Sequence, residues 1–140
     1  MNNIKKASLI ERILSGVIDY FLIFGFIGIL LFYYGEENSI SEGGKSLNGL
    51  PALAVIIFWF VITILSDYLF GQTIGNYFLG IKPVPKTNNH NRLTFTESIK
   101  RHLFDWIDLS FVGIILIAVT EDKQRLGDLW AKTIVIDYKN

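Results

Sequence analysis

The chain contains no cysteine, which excludes a disulfide framework, thiolate metal sites and a cysteine nucleophile, and leaves the redox compartment open. Histidine is nearly as scarce: His90 and His102 are the only two, too few for a histidine-rich metal site. An excess of either charge is also missing. Thirteen basic and thirteen acidic residues give a formal net charge of zero, so the balance points to neither nucleic acid nor an acidic polymer as partner. No nucleophile and base pair and no metal-ligand spacing stands out, so neither an enzyme nor a cofactor or metal is expected. What is abundant is apolar side chain. Of 140 residues, 51% are hydrophobic, and the mean hydropathy of +0.39 is too high for most soluble domains of this length. One domain over residues 1–140, with lipid as its main solvent, is the expectation.

From Ile13 to Tyr34 the sequence is apolar except for Ser15 and Asp19. The run is long enough for a helix to cross a hydrocarbon core about 30 Å thick. Lys5 and Lys6 precede it as in a secretory signal, but the apolar run exceeds a signal core and no small-residue cleavage site follows, so a retained anchor is expected. The segment from Gly35 to Gly49 is rich in Gly, Ser and Glu and reads as a flexible connection. A second spanning helix is expected from Leu50 to Phe70, with Pro51 in its first turn and only Thr63, Ser66 and Asp67 as polar interruptions. Tyr33, Tyr34 and Tyr68, at the helix ends, fit an interfacial aromatic belt.

The third apolar run, Leu109 to Val119, is about half the length a span needs, so it reads as re-entrant, interfacial or packed inside a bundle. Before it, Thr94 and Glu97 stand at capping-box spacing, followed by Ile99, Leu103 and Trp106 on one helical face. That predicts an amphipathic helix along the membrane surface, with Lys100 and Arg101 on its wet side and His102 exposed; His90 reads as a loop residue. Leu79 to Val84 and Thr133 to Asp137 read as short strands. Twelve of the thirteen basic residues precede the first span or follow the second, and Lys45 alone lies between them. Positive-inside bias then puts both termini and a small β-hairpin in the cytoplasm of a multi-pass cell-membrane protein. The expected fold is therefore an α-helical membrane protein with two full transmembrane helices, an amphipathic helix, a short third apolar helix spanning 94–119 together, and a cytoplasmic hairpin.

Asp19 is the most informative single residue, because an acid inside a spanning helix costs roughly 2.5–3.5 kcal/mol on insertion scales. Arg12, seven residues earlier, lies two turns below it and on the same face, since seven steps of about 100° leave the two roughly 20° apart. Asp67, one turn from the end of the second helix, stands close to the depth of Arg12, and an Arg12–Asp67 ion pair is geometrically reasonable. Two readings stand side by side: charges that fix helix register as a paired network, or a titrating or cation-binding carboxylate at Asp19, alone or with Asp108.

Arg12 opening the first helix and Asp19 within it, together with two later motifs, resemble the RDD family of small bacterial membrane proteins. GQTIGNYFLGIKPV, from Gly71 to Val84, is similar to that family's G-x-T-x-G-K-x-x-x-G-[LI]-K-V-V stretch. KQRLGDLWAKTIVI, from Lys123 to Ile136, is similar to its Q-R-L-G-D-x-x-A-G-T-x-V-V close. The resemblance covers nearly the whole chain and singles out Gly71, Thr73, Gly75, Gly80, Arg125, Gly127 and Asp128. It implies that Arg12 and Asp19 are the first two residues of the family's name, and leaves Asp128, Asp67 and Asp108 as candidates for the third. Asn76 stands where the family has Lys, and Lys132 where it has Gly. From the residues themselves, Gly71 and Gly75 leave room for close helix contact and Gly80 can end a short helix. Arg125 and Asp128, three apart, can pair on one turn, with Asp128 also suited to neutralising Arg12 or Arg101.

Two functions follow as expectations. One is a transporter of a proton, another cation or a small solute, with Asp19 as binding carboxylate, in a chain so small that it must form homo-oligomers. The other is a non-catalytic adaptor, assembly factor or export or immunity accessory that presents its hairpin and amphipathic helix to a membrane-protein partner. The family resemblance implies transport slightly more than the second.

Overall fold

The computed structural model describes residues 5–37, 43–86, 92–108 and 110–139. Helix α1, Leu9–Tyr34, opens on a capping box: Ser8 Oγ accepts from the Glu11 N–H at 3.2 Å and the Glu11 carboxylate accepts from the Ser8 N–H at 2.7 Å. Its 26 residues exceed the length a bilayer core requires. The residues it buries are Arg12, Ser15, Asp19 and Ile23, one stripe at spacings of three and four, and three of these four are polar. Phe21, Phe24, Ile29 and Phe32 point outward instead. A continuous apolar exterior around a polar stripe suits lipid outside and a charged interior.

A two-residue ladder, β1 (Glu36–Glu37) against β2 (Lys45–Ser46), leads into helix α2, Gly49–Phe70, the second helix long and apolar enough to cross a membrane. The rest of the predicted flexible connection, residues 38–42, lies outside the described residues. Phe26 of α1 stacks on Phe58 of α2 with ring centroids 4.1 Å apart. Over Val61–Leu65 the α2 spiral widens into a π-helical turn, beside which the Thr63 hydroxyl donates to the Trp59 carbonyl at 2.7 Å. Thr63 within this turn and Asp67 one turn beyond it are both buried.

Gly71 ends α2 in the left-handed conformation. Its surroundings are open, so the close contact predicted for Gly71 and Gly75 together belongs to Gly75 alone. Helix α3, Ile74–Leu79, crosses α1 there, and a Cβ on Gly75 would overlap the Ser15 carbonyl oxygen. Gly80 then turns the chain, also left-handed, into strand β3, Ile81–Pro85. This strand begins two residues later than the sequence pattern predicts, because Leu79 is still helical and Gly80 is needed for the turn. β3 pairs antiparallel with β4, Thr133–Asp137, from Ile81↔Asp137 to Pro85↔Thr133. On the far side of β4 the Ala7 N–H donates to the Val135 carbonyl at 2.9 Å, so β4 is central, and the two prolines of β3 sit on an edge strand where a missing N–H is tolerated. Ala7, Ile81 and Val135 close a small apolar knot beneath the hairpin.

Helix α4, Phe95–His102, carries the predicted Thr94/Glu97 capping box. A single turn, α5 (Asp105–Asp108), and helix α6 (Phe111–Val119) follow. At about 1.5 Å per residue α6 is roughly 13 Å long, well short of a span. Helix α7, Leu126–Ala131, packs on α4 through Gly127, where a Cβ would overlap the Arg101 carbonyl oxygen.

The predicted wet side of the amphipathic helix is not wet at Arg101 and His102, which are 1% and 3% exposed, whereas Leu103 and Trp106 are 53% and 83% exposed. The prediction gave Arg101 and His102 to water on a helix lying along the membrane surface, but the interior beside α4 is ionic and takes both side chains.

Candidate functional site

The end of the bundle where α1 begins and α2 finishes gathers almost all of the buried charge. Arg12, one turn into α1, donates through Nη2 to Asp128 Oδ2 and through Nη1 to the Lys123 carbonyl at 2.5 Å. Its ion-pair partner is therefore Asp128 and not Asp67. Matching depth in the two long helices made Asp67 reasonable, but α7, docked on α4, brings the Asp128 carboxylate to Arg12, and Asp67 pairs with Arg101 and His102 instead. Asp128 is wholly buried and faces two more guanidinium groups, Arg101 Nη2 at 3.5 Å and Arg125 Nε at 3.8 Å. Burial opposes its charge, but the three arginines hold its carboxyl far below the usual carboxylate range. The predicted Arg125–Asp128 pairing on one turn is present, as the longest of these contacts.

Asp67 takes a different set of partners: Arg101 Nε at 3.2 Å and His102 Nε2 at 3.1 Å. His102 Nδ1 reaches Asp105 Oδ2 at 3.0 Å, so the ring lies between two carboxylates. Burial by itself favours the neutral imidazole, yet Asp105 and Asp67 together push the His102 pKa up to about 9. At neutral pH the ring is an imidazolium donating in both directions, and its predicted exposure is replaced by near-complete burial.

Asp19, expected to draw on Arg12, is held by neutral donors. The Thr73 hydroxyl donates to Oδ2 at 2.6 Å and the Gly75 N–H to Oδ1 at 2.7 Å. The Gly75 contact that lets α3 lie against α1 is what brings that N–H to the carboxylate. One turn below, the Ser15 hydroxyl donates to Asn76 Oδ1 at 2.6 Å. Asp108 is held in the same manner, accepting from the N–H groups of Leu126 and Gly127 at 2.9 and 3.2 Å; burial raises its pKa, and Arg125 and these donors offset only part of that rise.

The first motif thus supplies Thr73 and Gly75 to Asp19, and the second supplies Arg125 and Asp128 to the arginines and Gly127 to Asp108. Gly71 and Gly80 shape the chain at a distance from these contacts. Sequence reasoning missed His102 and Asp105 as members of the cluster, and it put Arg101 on a wet face although it named Arg101 as a possible partner of Asp128. Their i, i+1 and i+4 spacing beside a capping box was visible, but the pattern was taken as a wet face. His90 lies outside the described residues.

A small cavity of about 20 Å³ sits among these groups, its lining including Asp19, Tyr20, Asn76, Arg101, His102 and Asp105. It has room for one water molecule. Arg101 Nη1 and Asp105 Oδ1 are buried without a hydrogen-bond partner among the described residues. The cluster as a whole holds five carboxylates, those of Asp19, Asp67, Asp105, Asp108 and Asp128, against the cations Arg12, Arg101, Arg125 and the His102 imidazolium. Among the described residues no group of three or more carboxylate, histidine or cysteine side chains is placed to hold a metal ion.

Two long apolar-faced helices around a buried ionic cluster define a helical membrane protein. A family model described as the RDD family matches residues 6–132, and the chain belongs to that family. No curated protein and no solved structure matches the chain. Among the family positions, Asn76 in place of Lys leaves a neutral amide at the cavity wall. Lys132 in place of Gly adopts a left-handed conformation, with φ of 54°, at the end of α7.

Proposed function

We propose that this RDD protein handles a proton or another small cation at the buried cluster of aspartates and arginines, as a multi-pass protein of the cell membrane with both termini in the cytoplasm. The observation that carries the reading is the charge imbalance: five carboxylates share a buried site with four cationic groups. An uncompensated negative charge in low-dielectric surroundings is relieved by a bound proton or cation. Asp19 and Asp108 are the two carboxylates whose hydrogen-bond donors are neutral, and of these Asp19 lines the cavity. The twelve basic residues outside the connection between the long helices set the orientation. In that orientation α6 dips into the cytoplasmic half of the bilayer and returns, as its length of nine residues suits. Two spanning helices enclose no pathway by themselves, so transport requires association of several copies.

The test is cation-dependent proton flux in liposomes across Na⁺, K⁺ and Li⁺ gradients, with Asp19→Asn as control and gel filtration in detergent to check folding. Flux in the wild type that is lost in a folded Asp19→Asn variant supports the reading. Absence of flux in both favours the competing one, a non-transporting adaptor or accessory module. A specific observation favours that alternative too: both Asp19 oxygens already accept hydrogen bonds from the chain, as in a carboxylate that fixes helix register. Under it, Lys100→Glu on the outside of α4 disturbs partner binding more than Asp19→Asn does.

A further inference from the structure

The shallow side of the cluster opens into a groove between α1 and α6. About 360 Å³ in volume, it is walled by Val17, Phe21 and Phe24 of α1 and by Ile114 and Ile117 of α6, so its length is apolar. At its other end stand Arg12 and Arg125 with one carboxylate, Asp108. A mainly apolar concavity with a few charged groups at one end is the form of a site for an amphiphile.

The two arginines differ. Arg12 is 3% exposed in its side chain and bonded to Asp128 and the Lys123 carbonyl, whereas Arg125 is 18% exposed and its buried Nε has no hydrogen-bond partner among the described residues. Among these residues its ion pair is the 3.8 Å contact to an Asp128 carboxylate already shared with Arg12 and Arg101. Asp108 has its two oxygens on the Leu126 and Gly127 N–H groups. The groove therefore ends at Arg125, the most exposed arginine of the cluster. A guanidinium presents paired donors that match phosphate oxygens, and basic pockets beside membrane helices at the interface take anionic lipid head groups.

From this geometry we propose that the α1–α6 groove binds one anionic phospholipid, its acyl chain along Val17, Phe21 and Phe24 and its phosphate on Arg125. The groove follows α1 from Arg12 to Phe24, roughly 18 Å at 1.5 Å per residue, and so lies within the reach of a lipid chain. Because Arg125 also lines the polar cavity, the head group touches the same side chain that faces Asp128. The proposal does not depend on transport.

Native mass spectrometry of the full chain in detergent tests it, with phosphatidylglycerol and phosphatidylcholine of matched acyl chains, and inorganic phosphate alone as a further arm. Wild type is expected to retain one phosphatidylglycerol at least tenfold more tightly than phosphatidylcholine, with no retention of phosphate. Arg125→Gln is expected to remove the preference. Ile114→Trp, which fills the groove without altering charge, is expected to remove binding of both lipids, and it serves should Arg125→Gln fail to fold. Equal retention of the two lipids by the wild type overturns the proposal, as does unchanged phosphatidylglycerol binding in Ile114→Trp. A lipid-independent dimer abolished by Ile114→Trp overturns it as well, since a second copy then fills the groove.

Discussion

Replacing Asp128 by asparagine removes one charge and almost no volume, and it tests how the interior of this protein is held. The carboxylate is wholly buried and faces Arg12, Arg101 and Arg125. The three do not lose equally. Arg101 keeps Asp67 at 3.2 Å, and Arg125 is the most exposed of the three. Arg12 keeps only the Lys123 carbonyl, so a guanidinium 3% exposed is left without a carboxylate among the described residues. Breaking a buried ion pair by removing one partner costs about 3–5 kcal/mol, because the remaining charge stays desolvated. For a chain of this length about 3–4 °C of melting temperature corresponds to 1 kcal/mol, so Asp128→Asn is expected to melt roughly 10–20 °C below wild type. The assay is thermal unfolding in detergent followed by intrinsic tryptophan fluorescence, with Lys6→Gln, whose partner Asp122 keeps Lys86, as a control expected to match wild type. An Asp128→Asn protein that melts within about 3 °C of wild type would refute the argument and mean that Arg12 finds water or another acceptor at no cost.

The pKa of His102 is raised in the folded protein to about 9 from 6.5, so its contribution to stability is full below about pH 6.5 and is lost as pH rises through 9. Melting temperature should fall over that window, by up to about 3 kcal/mol in stability, and the decline should flatten in His102→Gln. Lys132→Gly should raise stability by about 0.5–1 kcal/mol in the same melts, since the left-handed cap costs a side chain roughly 1–2 kcal/mol and glycine returns part of that as unfolded-state entropy. Gly75→Ala should lower it by about 1–3 kcal/mol, because the added methyl meets the Ser15 backbone and parts α3 from α1; a neutral result would show that the crossing is looser than described.

Much of the architecture was legible in local sequence because its causes are local. Both long helices follow from apolar runs long enough to span, the cap of α4 from Thr94 and Glu97, and strand β4 from alternation over Thr133–Asp137. The shared face of Arg12 and Asp19 follows from helical geometry alone. Gly80 and Gly75 carried their roles in their spacing, although the partner of Gly75, the Ser15 carbonyl, did not.

What the sequence could not determine was which charge meets which. Arg12 could reach Asp67, Asp128 or neither, and the choice was made by α7 docking on α4 through Gly127, a contact between residues 26 positions apart. The same docking took Arg101 and His102 inward and left Leu103 and Trp106 outside. Helical periodicity shows that α4 has two faces but not which solvent each one meets. An ionic cluster inside the bundle took Arg101 and His102 from the wet side that the pattern had given them. Asp19 illustrates the division most plainly: its cost of burial was fixed by its place in an apolar run, whereas the hydroxyl and amide that offset that cost come from Thr73 and Gly75, over fifty residues away. Local chemistry set the elements and the need for partners, and long-range packing chose the partners.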